Sequence, residues 1–226
     1  MGIQVSIDGP AGAGKSTAAR LLAKRLGFNY VNTGAMYRAL TLLALQYIVD
    51  WEDEDSLVML FERHNIDQRG TKTFIDNKDV SLEIRSNKVS RAVSIICRHR
   101  GVRERMVKLQ RRIAEKGSIV MDGRDIGTVV LPNADVKIFL TASVEKRAKR
   151  RLEDLRELGK PLPYDDVLEN ILRRDKIDST RKIAPLIMAD DAILVDNTDI
   201  PIDEEINFLE KLVREKIKDK LNSQSN

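Results

Sequence analysis

Length, composition and charge exclude several classes of protein. The chain has 226 residues, 42% hydrophobic and 33% charged, a balance typical of a globular protein with one sizeable core. Its most apolar stretch, 39–49, is too short to cross a bilayer, and the only cysteine, Cys97, cannot form an internal disulfide. The net charge of +4 suits an anionic partner, but 4% aromatic residues argue against a nucleic-acid stacking surface. We therefore expect a cytoplasmic protein without a membrane or nucleic-acid partner.

The first segment, "IQVSIDGPAGAGKSTAARLLAKRLG" (3–27), predicts a phosphate-binding loop. A strand-like run precedes G-x-x-x-x-G-K-[ST] at 9–16, and a helical pattern follows, as this loop requires. Backbone N–H groups and the helix dipole favour phosphate oxygens, Lys15 would reach the β and γ phosphates, and the Ser16 hydroxyl would ligate Mg²⁺. The complete motif argues against a turn that only joins a strand to a helix. The expected nucleotide-binding residues are Gly9, Pro10, Ala11, Gly12, Ala13, Gly14, Lys15, Ser16 and Thr17.

Alternating strand and helix patterns predict an α/β fold with a central parallel five-stranded sheet flanked by helices. The strand-like runs are Ile3–Asp8, Phe28–Val31, Ser118–Asp122, Val136–Thr141 and Ala192–Asp196. The helical patterns are Lys15–Leu26, Ala35–Tyr47, Val102–Glu115, Val144–Leu158 and Asp203–Ile217. Two segments depart from this alternation. Residues 66–80 predict a small inserted antiparallel sheet, and "LGKPLPYDD" (158–166) predicts a turn between two arginine-rich helices that could form a mobile cover.

The segment "NTGAMYRA" (32–39) predicts a second anion site. Thr33 is the expected N-cap of an apolar-periodic helix, and Tyr37 and Arg38 follow one turn later. A helix N-terminus beside an arginine attracts anions. Ordinary helix capping with a surface arginine explains this segment equally well.

The segment "MDGRDIGTVVLP" (121–132) follows a buried-type strand with Asp122, Gly123, Arg124 and Asp125. Ligands of open α/β sheets bind at the carboxyl ends of the strands. Because carboxylates and an arginine are costly to bury without partners, we expect them to face a polar ligand. An internal Arg–Asp ion pair is the alternative.

Two further segments carry unusual polar groups. In "RDKIDSTRKIAPL" (174–186), Arg174, Asp178 and Arg181 lie at spacings of four and three and are expected on one helix face. Ser94 and Arg103 bracket the start of a basic helix within the run 98–112. A solvated helix face explains most of the charges in that run.

Together, "IDGPAGAGKST", "NTGAMYRA", "MDGRDIGTVVLP", "VKIFLTAS" and "RDKIDSTRKIAPL" closely resemble the bacterial-type cytidylate kinases of the nucleoside monophosphate kinase group. The resemblance runs from Ile3 to about Asn197. It implies one P-loop kinase domain over 1–226, with a core of about 1–32, 99–145 and 180–226, a nucleoside-monophosphate-binding (NMP-binding) insertion of about 33–98, and a short LID of about 146–179. The implied enzyme is a monomer that transfers the γ-phosphoryl group of ATP to CMP and dCMP with Mg²⁺.

The resemblance also implies roles for individual residues. The acceptor phosphate would be held by Thr33, Arg38, Arg124 and Arg181, with Tyr37 and Gly123 beside them. Cytosine would be read by Ser94, Arg103 and Asp125, and the sugar contacted by Arg174 and Asp178. A carboxylate can accept from the cytosine amino group, and an arginine can donate to its O2 or N3. Catalysis would depend on Lys15, Arg38, Arg124 and Arg181, joined on closure by arginines of 147–156.

Two other functions share part of this pattern. A P-loop kinase of another small metabolite would need the same loop and cover, but it gives no reason for Asp125 beside Arg103. An NTP-driven nucleic-acid-binding protein would explain the basic charge. The chain has no N-K-x-D sequence, and its aromatic content is low.

Overall fold

The computed structural model describes residues 2–157, 159 and 161–224, which form a parallel five-stranded sheet with helices on both faces and a smaller three-stranded sheet. The elements are, in chain order, β1 (Gln4–Asp8), α1 (Lys15–Leu26), β2 (Asn29–Asn32), α2 (Thr33–Gln46), α3 (Glu54–Arg63), β3 (Ile66–Arg69), β4 (Lys72–Ile75), β5 (Lys78–Asp79), a 3₁₀ turn (Glu83–Arg85), α4 (Asn87–Ile96), α5 (Arg100–Ala114), β6 (Ile119–Asp122), a π-helical turn (Ile126–Val130), β7 (Val136–Thr141), α6 (Val144–Glu157), α7 (Tyr164–Thr180), β8 (Ile193–Asp196) and α8 (Ile202–Gln224).

The strand order β2-β6-β1-β7-β8 places β1 at the centre of the main sheet. All four strand pairs are parallel, and Val5 lies opposite Val120 on β6 and Val136 on β7. Parallel strands end at a common edge, so the loops after β1, β2 and β6 lie together. This edge carries three of the segments predicted to bind ligands, which are 9–17, 32–39 and 121–132.

Apolar side chains alternate between the two faces of the sheet, since successive strand residues point in opposite directions. On β6, Val120 packs in the cluster that includes α1 and α8, whereas Ile119 and Met121 pack in the cluster that includes α2 and α5. Both clusters contain side chains with no exposed surface, such as Leu22 and Leu40. A smaller cluster joins α6 to α7. This helix pair therefore has a core of its own beside the main one.

The predicted five-stranded sheet and the inserted antiparallel sheet are confirmed, with strand ends shifted by one residue. The inserted sheet turns at Gly70 and at Asp76-Asn77, all with positive φ. Helices α3 and α4 were not predicted. Helix α8 continues past Ile217 to Gln224, and the end of the predicted helix Val144–Leu158 and part of the turn 158–166 lie outside the described residues. In the described ranges, no helix is long and apolar enough to span a membrane.

Candidate active site

The loop of residues 9–17, hereafter the donor loop, follows the central strand β1 and leads into α1. A Cβ atom at Gly9 would lie 1.9 Å from the Leu140 carbonyl oxygen, so only glycine lets the chain turn here. Gly12 and Gly14 have φ of +77° and +88°. Helix α1 begins after Gly14 without a side-chain cap. Its first N–H groups are therefore available to an anion.

Lys15 and Ser16 of the donor loop are fixed by short contacts. The buried Lys15 donates from Nζ to the Pro10 carbonyl at 2.6 Å. Burial and the nearby Arg124 hold the pKa of Lys15 well below its usual range. Ser16 Oγ donates to Asp122 Oδ2 at 2.8 Å and accepts from Asn32 Nδ2 at 2.9 Å. A negatively charged phosphate beside Lys15 would restore the charged form.

The surroundings of Ser16 fit a hard cation such as Mg²⁺. A hydroxyl has one proton and two lone pairs, so the bonds to Asp122 and Asn32 leave one lone pair for a metal. Among residues 2–157, 159 and 161–224, the structure has no cluster of three His, Cys, Asp or Glu side chains that could hold a metal ion. A cation at Ser16 would therefore complete its shell with phosphate oxygens and water, as Mg²⁺ commonly does.

Asp122, the last residue of β6, joins the donor loop to the start of α2. Its Oδ1 accepts from the Tyr30 hydroxyl at 3.0 Å, and its carbonyl accepts from Thr33 Oγ1 at 2.7 Å. Burial raises the pKa of Asp122, although the charge of Lys15 opposes the shift. The prediction that Thr33 caps α2 is wrong. Asn32 is the cap, because its Oδ1 accepts from the Ala35 N–H at 2.8 Å, and Thr33 is free to bond to β6.

Asp8, at the end of β1, is a site residue that the sequence analysis missed. Its carboxylate accepts from the N–H groups of Ile126 at 2.8 Å and Gly127 at 2.7 Å. Burial raises the pKa of Asp8 to about 6. Asp8 thus attaches the donor strand to the turn that follows Asp125. Its position, as an acidic residue at the end of a buried strand, is the sequence signal that could have identified it.

Four arginines lie together near the donor loop: Arg38, Arg124, Arg151 and Arg174. Burial and the charges of the other three hold the pKa of Arg38 well below its usual range. Burial and Arg124 lower the pKa of Arg174 to about 10. Arg38 donates to Ser90 Oγ at 3.0 Å, and in the part of the chain that the structure describes it forms no ion pair. Such a surplus of half-buried positive charge favours an anionic ligand.

Asp178 is the carboxylate beside this cluster. Its Oδ2 accepts from Arg124 Nε at 2.9 Å, and its Oδ1 lies 4.0 Å from Arg181 Nη1. Burial opposes ionisation, but Arg124, Arg174 and Arg181 outweigh it and lower the pKa of Asp178. The alternative ion pair of Arg124 with Asp125 is therefore not the one that forms.

Arg181 does not share a helix face with Arg174 and Asp178 as predicted. Helix α7 ends at Thr180, and Arg181 has an extended backbone with ψ of 141°. The Arg181 side chain nevertheless turns back beside Asp178, with Nε donating to the Ala184 carbonyl at 2.6 Å. Because the chain leaves the helix here, one guanidinium can contact both Asp178 and Asp125.

The predicted base-reading residues are only partly brought together. Asp125 forms an ion pair with Arg103, and its Oδ1 lies 3.5 Å from Arg181 Nη2. The Arg103 guanidinium carbon lies 5.5 Å from the Tyr37 ring centroid, a cation–π distance. Ser94 is buried on α4 and forms no hydrogen bond to this group.

Three buried polar atoms among the predicted site residues have no hydrogen-bond partner: the Tyr37 hydroxyl, Ser94 Oγ and Arg174 Nε. An unpartnered buried polar atom is costly unless a ligand or water satisfies it. Gly123 is packed against Thr33 Oγ1, which would lie 2.6 Å from an added Cβ atom. We call the region of α2, α4, α5, Arg124–Asp125 and the end of α7 the acceptor pocket.

Helices α6 and α7 contact the donor loop, and so does Asn197, which follows β8. Asp175 Oδ1 accepts from the Ala11 N–H at 3.1 Å, and Arg147 Nη1 donates to the Ala11 carbonyl at 2.9 Å. Asn197 Nδ2 donates to the Ala13 carbonyl at 3.0 Å, and Arg150 donates to Asn197 Oδ1 at 2.9 Å. Arginines of 147–156 were predicted near the site, but Asp175 and Asn197 were missed.

A phosphate-binding loop on the central strand of a parallel sheet, with a cationic pocket beside it, defines the class of P-loop kinases. The solved structure of a gluconokinase from Sinorhizobium meliloti 1021 has the same fold, with a TM-score of 0.51, 13% identity, and coverage of 99% of this chain and 98% of that chain.

Sequence comparison gives the family. Residues 5–215 match the family model of cytidylate kinase. "Cytidylate kinase" of Bacillus pumilus (strain SAFR-032) is 52% identical and covers 89% of this chain and 92% of its own. "Cytidylate kinase" of Bacillus subtilis (strain 168) is 49% identical over 95% of this chain and 97% of its own. The chain belongs to the cytidylate kinase family, as the resemblance of its motifs predicted.

Proposed function

We propose that this protein transfers the γ-phosphoryl group of ATP to CMP and dCMP, with Mg²⁺, to give ADP and CDP or dCDP in pyrimidine nucleotide metabolism. The observation that carries the proposal is the cluster of half-buried arginines near Lys15, together with the buried ion pair of Asp125 and Arg103. Membership of the cytidylate kinase family supports CMP as the acceptor. A kinase of another metabolite gives no reason for Asp125 beside Arg103, and the low aromatic content argues against a nucleic-acid-binding protein.

The donor loop binds ATP in this proposal. Backbone N–H groups of the donor loop, which Pro10 lacks, surround the phosphates, and Lys15 leaves the Pro10 carbonyl to contact the β and γ oxygens. Mg²⁺, when bound, neutralises charge on the donor phosphates. Ser16 would be its protein ligand, and Asp122 holds the Ser16 proton so that a lone pair of the hydroxyl stays available to the metal.

The acceptor pocket binds CMP. Its arginines match the two charges of the CMP phosphate, and its unpartnered atoms match polar groups of the nucleoside. Thr33, Arg38, Arg124 and Arg181 hold the phosphate, with Tyr37 and Gly123 beside it. Arg174 and Asp178 contact the sugar, and Ser94, Arg103 and Asp125 read the base.

The transfer itself needs no nucleophilic side chain. A phosphate oxygen of CMP attacks the γ phosphorus of ATP, a new O–P bond forms, and the bond to the β–γ bridging oxygen breaks, which leaves ADP. Lys15, Arg38, Arg124 and Arg181 spread the charge of the transferring group. The contacts of Asp175 and Arg147 with Ala11 bring the cover onto the donor loop, which would exclude water and prevent ATP hydrolysis.

The proposal includes the layout of the chain. A single domain of 1–226 has its core at about 1–32, 99–145 and 180–226, an NMP-binding insertion at about 33–98 and a LID at about 146–179. The separate apolar cluster of α6 and α7 supports a LID that moves as a unit. We also propose a cytoplasmic monomer. The buried Cys97 as the only cysteine is consistent with a reducing compartment.

The proposed function is tested by measuring ADP release from Mg-ATP with CMP, shikimate or RNA as the added component. Release stimulated by CMP alone is the expected result. Stimulation by shikimate would indicate a metabolite kinase, and stimulation by RNA would indicate a nucleic-acid-dependent ATPase, so either would contradict the proposal.

A further inference from the structure

The inserted sheet of β3–β5 supplies none of the residues assigned above to ATP or CMP, yet it contacts the main sheet through Gln68 on β3. Gln68 Oε1 accepts from the Asn32 N–H at 2.8 Å, and Gln68 Nε2 donates to the Asn32 carbonyl at 3.0 Å. Asn32 is the last residue of β2, an edge strand of the main sheet. The Gln68 amide therefore takes the place of a neighbouring strand at an otherwise open edge.

The Gln68 side chain is itself held by the inserted sheet. Gln68 lies opposite Thr73 in the β3–β4 ladder, and its Nε2 also donates to Thr73 Oγ1 at 3.2 Å. Thr73 is 1% exposed. Because Nε2 faces two acceptors, the amide is oriented with Oε1 toward the Asn32 N–H. The position of Asn32 is thus set by the fold of the inserted sheet.

Asn32 connects this contact to the donor loop. Its Oδ1 caps α2, and its Nδ2 donates to Ser16 Oγ at 2.9 Å and to the Tyr30 hydroxyl at 3.2 Å. With the Ser16 proton held by Asp122, the Asn32 amide decides which lone pair of Ser16 stays open. A shift of Asn32 would let the Ser16 hydroxyl rotate.

We propose that Gln68 is a positioning residue through which the inserted sheet fixes Asn32 and, with it, the Ser16 hydroxyl as a metal ligand. This inference rests on the proposed function, which assigns Mg²⁺ to Ser16. A partner one shell beyond a metal ligand commonly changes metal affinity by about 10- to 100-fold. Gln68 lies one contact further out, so a smaller effect is expected. A role limited to closing the sheet edge would change stability without changing metal dependence.

The test is calorimetric binding of a non-hydrolysable ATP analogue, in Mg²⁺ and in EDTA, by the wild type, Gln68→Ala and Arg69→Ala. Arg69 is a matched control on the same strand, because its contacts are with Asp67, Asn77 and Phe74 of the inserted sheet. We expect Gln68→Ala to weaken binding in Mg²⁺ by about 3- to 10-fold and to leave binding in EDTA unchanged. Arg69→Ala should match the wild type in both buffers.

Ser16→Ala separates this inference from the assignment on which it rests. In Ser16→Ala, the gain in affinity from Mg²⁺ should be lost, and adding Gln68→Ala should change nothing further. If Mg²⁺ does not raise the affinity of the wild type for the ATP analogue, or if it still raises the affinity of Ser16→Ala, the Ser16 assignment is wrong. The inference is then overturned with it.

Two results would overturn the role of Gln68 without affecting the Ser16 assignment. Gln68→Ala could bind the ATP analogue as tightly as the wild type in both buffers, or it could lose affinity equally in both. If Gln68→Ala does not fold, as judged by circular dichroism, Thr73→Val removes only the acceptor that orients the amide. Thr73→Val should lose less affinity for the ATP analogue than Gln68→Ala, and only in the buffer that contains Mg²⁺. An unchanged affinity or a loss in both buffers would overturn the proposal.

Discussion

The donor loop and the acceptor pocket differ in how the protein satisfies their charged groups. In the donor loop, Lys15 and Ser16 already have protein partners, the Pro10 carbonyl and Asp122. In the acceptor pocket, burial and neighbouring arginines lower the pKa values of Arg38 and Arg174, and the Tyr37, Ser94 and Arg174 side chains each keep an unpartnered atom. The donor loop can exchange internal contacts for a ligand at little cost. The acceptor pocket carries a cost that a ligand or water would relieve, so we expect it to be the more selective of the two sites.

The largest expected effect separates the two sites. Lys15→Ala should lower turnover by about 10³-fold or more, because it removes the cation nearest the transferring phosphoryl group. CMP affinity should be nearly unchanged, since the hydrogen bond of Lys15 lies within the donor loop, although its charge lies near Arg124. Calorimetry with CMP and steady-state turnover measure both quantities. Lys24→Ala, an exposed change on the same helix, is the control, and a joint loss of turnover and CMP affinity would show that the sites are not separate.

Arg181→Lys tests the acceptor pocket. It keeps the charge but loses the planar fork that reaches Asp125, Asp178 and the Ala184 carbonyl. We expect turnover to fall by about 10²- to 10³-fold, because lysine does not replace arginine at a bidentate phosphate site. Arg173→Lys, an exposed arginine of α7, should retain wild-type turnover. Near-normal turnover of Arg181→Lys would limit Arg181 to a structural ion pair.

Asp8 links the two sites, and its effect should appear in the pH dependence of stability. Its pKa is raised from 3.8 to about 6, so between these values the folded protein keeps a proton that the unfolded chain has lost. The free energy of unfolding should therefore fall as pH rises from about 4 to 6, by up to about 3 kcal/mol. Asp8→Asn should remove this fall. Denaturant unfolding across pH 4–7 measures it, and parallel curves for the two proteins would contradict the assignment.

The same contrast explains what could be predicted from the sequence. The donor loop is contiguous, so its residues were predicted with their flanking strand and helix. The acceptor pocket combines distant segments. Asp125, Arg103 and Arg181 were singled out as unusual polar residues, but their roles came from the resemblance to a family, and their pairings depend on long-range packing. The N-cap at Asn32 and the end of α7 at Thr180 were not predicted. The exact residue at which a helix begins or ends depends on which side chain forms the local hydrogen bond there.

Helix α4 and Asp8 show two further limits of prediction from the sequence. The apolar positions of α4 follow a helical period, but the segment lies between turn signals and was not recognised as a helix. Asp8 lies directly before the phosphate-binding motif at 9–16. Its role was not predicted, because its partners, Ile126 and Gly127, are more than a hundred residues away in the sequence. Sequence patterns give the elements, while the partners of buried charges follow from the packing between them.

Base selection tests the selectivity of the acceptor pocket most directly. If Asp125 accepts from the cytosine amino group, UMP places a carbonyl oxygen against the carboxylate, which costs about 1–3 kcal/mol. Asp125→Asn can turn its NH₂ toward uracil. Asp178→Asn, a change at another buried acid of the pocket, is the control and should lower activity with both nucleotides alike.

The deciding measurement is the ratio of kcat/KM for CMP to that for UMP at saturating Mg-ATP, in the wild type, Asp125→Asn and Asp178→Asn. The wild type should prefer CMP, and Asp125→Asn should reduce the ratio by about 10- to 100-fold, mainly through loss of activity with CMP. Asp178→Asn should keep the wild-type ratio. An unchanged ratio in Asp125→Asn would show that Asp125 serves only as the buried partner of Arg103 and Arg181, and would contradict its role in reading the base.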